Sequence, residues 1–121
     1  MAQPGRTAAL TQLSGDERMF RDTVRQFATE QIGPLVRGMD EAQQMDAALI
    51  QKLFALGLMG IQIPEEYGGA GGSFFEAILA VEEVSAVDPA VGVLVDVQNT
   101  LCIYALVRWA TEAQRQEYLP R

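Results

Sequence analysis

Paired carboxylates are one arrangement in this chain that could carry out acid–base chemistry. Glu65 and Glu66 are neighbours, and so are Glu82 and Glu83, which lie in a stretch with helical periodicity. Neighbouring residues on an α-helix point about 100° apart, because the helix has about 3.6 residues per turn. Glu82 and Glu83 therefore do not converge on one bond. We expect one of them in a buried ion pair and the other in solvent.

A glycine-rich segment, residues 69–73, could hold a phosphate at the start of a helix. The segment lacks the third glycine of a dinucleotide-binding fingerprint and the lysine of a P-loop, and no clear strand precedes it. The favoured interpretation is a tight turn that needs a positive φ, and phosphate binding is the alternative.

The most apolar stretch of the chain, residues 90–107, contains a group of four polar residues: Asp96, Gln98, Asn99 and Thr100. A buried polar group without a hydrogen-bond partner costs about 1–3 kcal/mol, so these side chains need partners. We expect them to bond to neighbouring helices or backbone. The alternative is a face that borders a polar or ligand-bearing cavity. Cys102, in apolar surroundings, is expected to be a small core residue.

The composition excludes several classes of function. The 121 residues include 16 acidic and 9 basic side chains, and the resulting net charge of −7 disfavours nucleic-acid binding. The sequence has no histidine, which excludes His-based acid–base catalysis and most zinc sites. A single cysteine excludes an internal disulfide and favours a reducing compartment. With 49% apolar and 21% charged residues, the chain is expected to form one compact domain.

Neither membrane insertion nor export is predicted. Residues 90–107 are about one bilayer long, but a charged residue such as Asp96 at mid-bilayer costs about 3 kcal/mol. A buried helix of a soluble protein is therefore favoured over a membrane span. Residues 1–12 carry one arginine and no long apolar run, so they do not resemble a signal peptide and are short for a transit peptide.

Helix-capping signals divide the chain into helices. Capping boxes that begin at Ser14, Ser73 and Thr111 predict three helix starts. Asp46, and Asp88 followed by a proline, predict two more. These signals indicate an all-α domain of about five or six helices.

Glycines and prolines predict where two of the helices end. The Gly–Pro pair at residues 33–34 is predicted to interrupt the first helix, and Gly57 to end the second. The segment after Asp88 is ambiguous, because valines alternate with other residues at 91–97, as in a β-strand. The Asp–Pro start and the continuation of the apolar pattern to Tyr104 favour a helix instead.

Several stretches, in their order and spacing, resemble the N-terminal domain of acyl-CoA dehydrogenases. They are residues 57–61 (GLMGI), 64–71 (PEEYGGAG), 82–85 (EEVS) with Asp88, 111–114 (TEAQ) and 118–120 (YLP). Together they cover nearly the whole chain after about Leu13. Within the family, residues 27–36 (FATEQIGPLV), 39–41 (MDE) and 98–101 (QNTL) are most similar to the short/branched-chain members.

The resemblance implies an up-and-down helical domain of five or six helices over residues 14–121, behind a flexible N-terminal leader at residues 1–13. In the family, a β-domain and a C-terminal four-helix bundle follow this domain. Both are expected to lie outside this chain, which would then be a fragment, a split subunit or one portion of a larger chain.

The resemblance also implies a reaction, the oxidation of acyl-CoA thioesters to 2-enoyl-CoA. In the family a Glu of the C-terminal bundle removes the α-proton, the β-hydride passes to FAD, and an electron-transfer flavoprotein accepts the electrons. Most FAD contacts come from the two later domains. No Glu of this chain is therefore expected to be catalytic, and the chain alone is expected to be inactive. The full enzyme is implied to be a homotetramer of the bacterial cytoplasm or mitochondrial matrix.

The part of the site that the resemblance implies for this domain is one portion of the acyl pocket. Its lining positions, placed by the match at residues 98–101, are Val93, Leu94, Val97 and Gln98. Val93 and Leu94 would set how much branching or length the pocket admits. Two alternatives stay open: a stand-alone helical module that binds a partner protein through exposed apolar faces, and a relative of acyl-CoA oxidases or nitroalkane oxidases.

Overall fold

The computed structural model describes residues 9–120, which are helical and contain no β-strand within that range. The α-helices are α1 (Gly15–Phe27), α2 (Val36–Ala42), α3 (Ala47–Ala55), α4 (Phe74–Val87), α5 (Pro89–Asp96), α6 (Tyr104–Trp109) and α7 (Glu112–Tyr118). Two π-helical segments, Ala28–Ile32 and Val97–Ile103, and two 3₁₀ turns, Gly33–Leu35 and Glu65–Tyr67, complete the helical structure. These pieces join into five continuous helical stretches in the described range, besides the separate 3₁₀ turn Glu65–Tyr67, which confirms the predicted all-α class.

The predicted leader falls mostly outside the part of the chain that the structure describes. Residues 1–8 lie outside it, and residues 9–12 form a turn closed by a hydrogen bond from the Gln12 N–H to the Ala9 carbonyl. The domain boundary at residue 13 stays a prediction.

All five predicted helix starts are confirmed at the level of individual hydrogen bonds. The hydroxyls of Ser14, Ser73 and Thr111 each accept from the backbone N–H three residues on, and the side chain at that position accepts from the cap N–H in return. Asp46 accepts from the Leu49 N–H, and Asp88 from the Ala90 N–H. These bonds satisfy backbone donors that a helix start otherwise leaves without partners.

The predicted interruption at residues 33–34 is wrong. The helical path continues from α1 through the π segment Ala28–Ile32 and the 3₁₀ turn Gly33–Leu35 into α2. Gly33 keeps a right-handed helical conformation, with φ −47° and ψ −48°, despite the proline that follows. The reason is that Pro34 stands in the first turn of a new helical segment, where a backbone N–H is not needed.

The core lies between α1, α4 and α5 and is closed by α3. Val24, Leu53, Val84 and Val95 are fully buried members of its main cluster. Helix α5 packs closely on α4 at Gly92, where a Cβ would overlap Ser85. A smaller cluster, formed by Tyr67, Ile103 and Leu119, joins the loop before α4 to the C-terminal end of the domain.

An ion pair fastens α1 to α4. The Arg25 guanidinium donates from Nε to Glu83 Oε2 and from Nη2 to Glu83 Oε1, both at 2.8 Å. The hydrogen bond and the charge of Glu83 raise the pKa of Arg25. Glu82 is exposed, so the expected division between a paired and a solvated carboxylate is confirmed. The pair is not buried as expected, because 57% of the Arg25 side chain is exposed.

Candidate functional site

The long helix Pro89–Trp109 carries the predicted site residues, and its regular geometry changes midway. Apart from Gly92, which has no side chain, its buried residues recur at every fourth position: Val91, Val95, Asn99 and Ile103. In an α-helix each four-residue step drifts by about 40°, so three steps would move Ile103 about 120° off the buried face. The π segment Val97–Ile103, with a bond from the Tyr104 N–H to the Asn99 carbonyl five residues back, widens the turn and removes this drift. One face of the helix therefore stays buried along its length.

Asn99 joins this helix to the loop after α3. The side chain is completely buried, and its Oδ1 accepts from the Ile61 N–H at 2.9 Å. Its Nδ2 donates to the Leu58 carbonyl at 2.8 Å and to the Val95 carbonyl at 2.9 Å. The expectation that the buried polar residues bond to neighbouring backbone is confirmed for Asn99. Thr100 bonds within the helix, to the Asp96 carbonyl at 2.9 Å.

The structure divides the four predicted site residues among three faces of the helix. Val93 and Val97 point outwards, with 61% and 38% of their surface exposed, and Leu101 extends this outer column at 62%. Leu94 is half-buried and packs against the main core cluster. Gln98 is half-buried and lines a groove on the next face of the helix. Val93 and Val97 are thus brought together, while Leu94 and Gln98 lie beside them. We call Val93, Val97 and Leu101 the outer column.

The groove beside Gln98 has a volume of about 460 Å³. One wall is the helix face formed by Gln98, Cys102 and Leu106, and the opposite wall is the loop at residues 57–70 with the end of α7. Cys102 is exposed here, so its expected place in the core is wrong. The same four-residue spacing that keeps residues 91, 95, 99 and 103 in the core puts Cys102 on the groove face.

The glycine-rich segment forms a tight turn whose backbone donors are already used. The N–H groups of Gly71 and Gly72 donate to the carbonyls of Ile63 and Ile61 at 2.9 and 2.8 Å, and the Ser73 N–H donates to Glu76 at 2.8 Å. Gly71 has a φ of +63°, which favours glycine, and this confirms the turn interpretation. These three N–H groups already have partners within the turn and are not available to a phosphate.

A polar contact fixes the loop against α7. The Tyr67 hydroxyl donates to Glu112 Oε2 at 2.9 Å, and Arg115 Nη1 lies 3.5 Å from the same oxygen. The bond to Glu112 raises the pKa of Tyr67, and hydrogen bonds from Gln116 and from Tyr67 lower the pKa of Glu112. This contact holds one wall of the groove in place.

The helix Pro89–Trp109 has the length and composition of a membrane span, but its position argues for a different role. Val91 and Val95 lie in the main core and Asn99 is hydrogen-bonded to the loop, so the helix is part of the packed domain. Within residues 9–120, no group of three or more His, Cys, Asp or Glu side chains could hold a metal ion.

Comparison with known proteins identifies the family. Residues 14–121 match the family model described as acyl-CoA dehydrogenase, N-terminal domain. The chain is 43% identical over 114 residues to the mitochondrial short/branched chain specific acyl-CoA dehydrogenase of Bos taurus, covering 94% of this chain and 26% of that protein. It is 44% identical over 110 residues to the probable short/branched chain specific enzyme of Dictyostelium discoideum, covering 91% and 27%. The chain therefore spans about a quarter of the length of the curated relatives it matches.

Solved structures agree with this assignment. Butyryl-CoA dehydrogenase from Megasphaera elsdenii superposes with a TM-score of 0.83 at 30% identity, over 90% of this chain and 29% of that one. Glutaryl-CoA dehydrogenase from Mycobacterium smegmatis, in complex with FADH2, gives 0.84 at 34%, over 90% and 28%. A chain of a structure described as the electron transferring flavoprotein of Acidaminococcus fermentans gives 0.85 at 38%, over 90% and 29%. This chain belongs to the acyl-CoA dehydrogenase family, and it has the helical fold of that family's N-terminal domain.

Proposed function

We propose that this domain forms one wall of the acyl pocket in a flavin-dependent dehydrogenase that oxidises short or branched acyl-CoA to 2-enoyl-CoA. The observation that carries the proposal is the outer column. Its three apolar side chains are exposed on a helix whose opposite face is buried in the core. An apolar column held on such a rigid support suits the tail of a short acyl thioester, because contact with it removes apolar surface from water.

The role of this wall is to select the substrate. Apolar pockets discriminate by volume, so Val93 and Val97 set the space available next to the tail, with Leu94 supporting them from the core side. Gln98 lies at the boundary between the column and the groove and supplies an amide there. Residues 9–120 show no pair of carboxylates converging on this face, and the proton transfer is assigned to another part of the enzyme.

The cofactor and the partners follow from the same proposal. FAD, which accepts the hydride when bound, is held mostly by the later domains of the enzyme, as the family resemblance implies. The other expected partners are the acyl-CoA substrate, the remaining domains or subunits of a homotetramer, and an electron-transfer flavoprotein. Relatives named as mitochondrial enzymes and one from Bacillus subtilis support a mitochondrial matrix or bacterial cytoplasmic location.

A chimera tests the substrate assignment. Residues 14–120 replace the matching segment of the bovine short/branched chain specific enzyme, and Val97→Phe fills the space beside the tail. We expect a rise of about tenfold or more in KM for 2-methylbutyryl-CoA and a smaller rise for butyryl-CoA, since discrimination follows volume. Met19→Phe, at an exposed position on α1, is the matched control and should change neither value. Equal KM values for Val97→Phe and the parent chimera would refute the proposal.

The second test concerns the chain alone. Purified chain with FAD, 2-methylbutyryl-CoA and an artificial electron acceptor is expected to show no turnover, because the proposal puts the base and the flavin site elsewhere. Reduction of the acceptor above a protein-free blank would contradict this.

A further inference from the structure

Asn99 lies at the point where a regular α-helix would lose the register of the outer column. We propose that Asn99 is a positioning residue: its side-chain amide holds the π turn, and the π turn keeps Val93, Val97 and Leu101 aligned. The role of the outer column in binding the acyl tail rests on the proposed function. The role of Asn99 in holding the column rests on geometry alone.

The three hydrogen bonds of the amide connect the turn to a support outside the helix. Within the turn, Nδ2 donates to the Val95 carbonyl, which an α-helix would pair with the backbone N–H of residue 99 itself. Outside the helix, the amide accepts from Ile61 and donates to Leu58. These two bonds reach a loop that α3 and α4 hold in place, so the amide fixes both the shape of the turn and its position.

The two halves of the helix are anchored unequally. The half before the turn packs on α4 in the main core through Val91 and Val95. The second half begins at the buried Ile103 and packs only on the small cluster with Tyr67 and Leu119, to which Leu106 and Val107 add half-buried contacts. If the π turn relaxed to α-helix, the second half would therefore be the one to rotate.

Helical geometry gives the direction of that rotation. In a regular α-helix, Cys102 lies seven residues after Val95 and points within about 20° of the same direction, whereas Ile103 points about 80° away. Relaxation of the turn would move Cys102 from the groove towards the core. It would also leave Leu101 pointing about 40° away from the direction of Val97.

The single cysteine makes the rotation measurable. Cys102 is exposed, so a chromogenic disulfide reagent should label it readily in the wild-type chain. Asn99→Leu keeps the side-chain size and removes all three bonds. We expect labelling to slow by about tenfold, because the thiol becomes buried. Asn99→His is expected to restore part of the wild-type rate, since a neutral imidazole offers one donor and one acceptor and so replaces two of the three bonds.

The matched control is Thr100→Val, which removes a side-chain bond from the same π segment but no bond to another element. Its labelling rate should equal that of the wild type. Circular dichroism and cooperative thermal unfolding confirm that each variant is folded at the labelling temperature. A folded Asn99→Leu chain that labels at the wild-type rate overturns the proposal, and so does equal slowing in Thr100→Val. If Asn99→Leu does not fold, Asn99→Ser takes its place, with the same criterion.

Labelling needs neither acyl-CoA nor flavin, so it stands apart from the proposed function. A second measurement, in the chimera with the bovine enzyme, connects the role of Asn99 with the proposed function. There Asn99→Leu should raise KM for 2-methylbutyryl-CoA about tenfold with a smaller change in kcat, because the wall is misaligned while the chemistry is untouched. Slowed labelling with an unchanged KM would refute the role of Asn99 in positioning the pocket wall. Asn99 would then only hold the conformation of the helix.

Discussion

The two π-helical segments solve the same geometric problem with different means. In the first, Val24, Ala28 and Ile32 are buried at four-residue spacing, and in the second the buried residues are 91, 95, 99 and 103. In each, a threonine hydroxyl donates to the carbonyl four residues back, from Thr29 to Arg25 and from Thr100 to Asp96, both at 2.9 Å. The buried residues of the first segment, Ala28–Ile32, are wholly apolar. The second contains Asn99.

The difference shows where a wide turn needs a polar anchor. The first segment lies beside the main core and leads into a 3₁₀ turn with Pro34, so apolar packing on α4 is enough to hold it. The second segment stands in the middle of a 21-residue helix whose far half has few core contacts. There, hydrogen bonds to a separate loop fix the geometry that packing alone does not.

The largest expected effect compares the isoleucines that close the two segments. Ile32→Ala should lower the free energy of unfolding by about 4 kcal/mol, because it empties a site in the main core. Ile103→Ala should cost about 2 kcal/mol, because it belongs to the smaller cluster, whose neighbours can collapse more easily. Urea unfolding monitored by circular dichroism measures both. A larger loss for Ile103→Ala would reverse our ranking of the two anchors.

A change in the anchor itself gives the next effect. Asn99→Asp keeps an acceptor for the Ile61 N–H but removes both donated bonds, and it introduces a buried charge. We expect a loss of about 3 kcal/mol at pH 7. Burial raises the pKa of the new carboxyl above its unfolded value, so the loss is smallest below about pH 4 and grows as the pH rises through the raised pKa. Unfolding measured from pH 4 to pH 8 tests the sign, and a loss that shrinks with rising pH contradicts it.

Helix starts are the part of this arrangement that the sequence predicts best. Ser14 or Asp46 forms its cap within one turn, so the signal and the structure are both local. The outcome at Gly33 differs because Pro34 stands in the first turn of the 3₁₀ segment, where its missing N–H is not needed. The family resemblance points to Val93 and Val97, yet only the structure shows that Leu94 turns to the core.

The π turns are not predicted from helical periodicity, because a helical pattern accepts apolar residues at steps of three or four and therefore does not separate an α-turn from a π turn. The available signal is a run of uniform four-residue steps, 24–28–32 and 91–95–99–103, since such a run does not stay on one face of an α-helix. The apolar neighbours of Cys102 predict a place in the core. Its true face depends on the widened turn before it.

A smaller effect is expected where the loop next to the second segment meets α7. Tyr67→Phe removes the bond to Glu112 and should destabilise the chain less than Asn99→Asp, since Glu112 is exposed. The matched control is Tyr118→Phe on α7. The structure shows no hydrogen bond for the Tyr118 hydroxyl, so its removal should not change the free energy of unfolding.

The pH dependence of the Tyr67 variant has a defined window. The pKa of Glu112 is lowered from about 4.5, so its contribution is present above that value and is lost as the pH falls through the lowered pKa. The pKa of Tyr67 is raised from about 10.0, so its contribution is present below that value and is lost as the pH rises through the raised pKa. The gap in unfolding free energy between wild type and Tyr67→Phe should therefore be widest between these limits. A gap that does not narrow once the pH has fallen below the lowered pKa of Glu112 would contradict the assignment.

The smallest effect comes from the proline after the first π segment. Pro34→Ala should change the free energy of unfolding by no more than about 1 kcal/mol, because the exposed proline acts mainly by restricting the unfolded chain. The π segment should survive, since the buried spacing of Val24, Ala28 and Ile32 is unchanged and demands a wide turn whether or not residue 34 carries an N–H. A crystal structure of the variant decides the point. In the wild type the Gly33 N–H donates to the carbonyl of Ala28, five residues back. If it donated in the variant to the carbonyl four residues back, the proline and not the core would cause the first π turn. The two segments would then differ in a proline and an asparagine, and not in apolar packing and an asparagine.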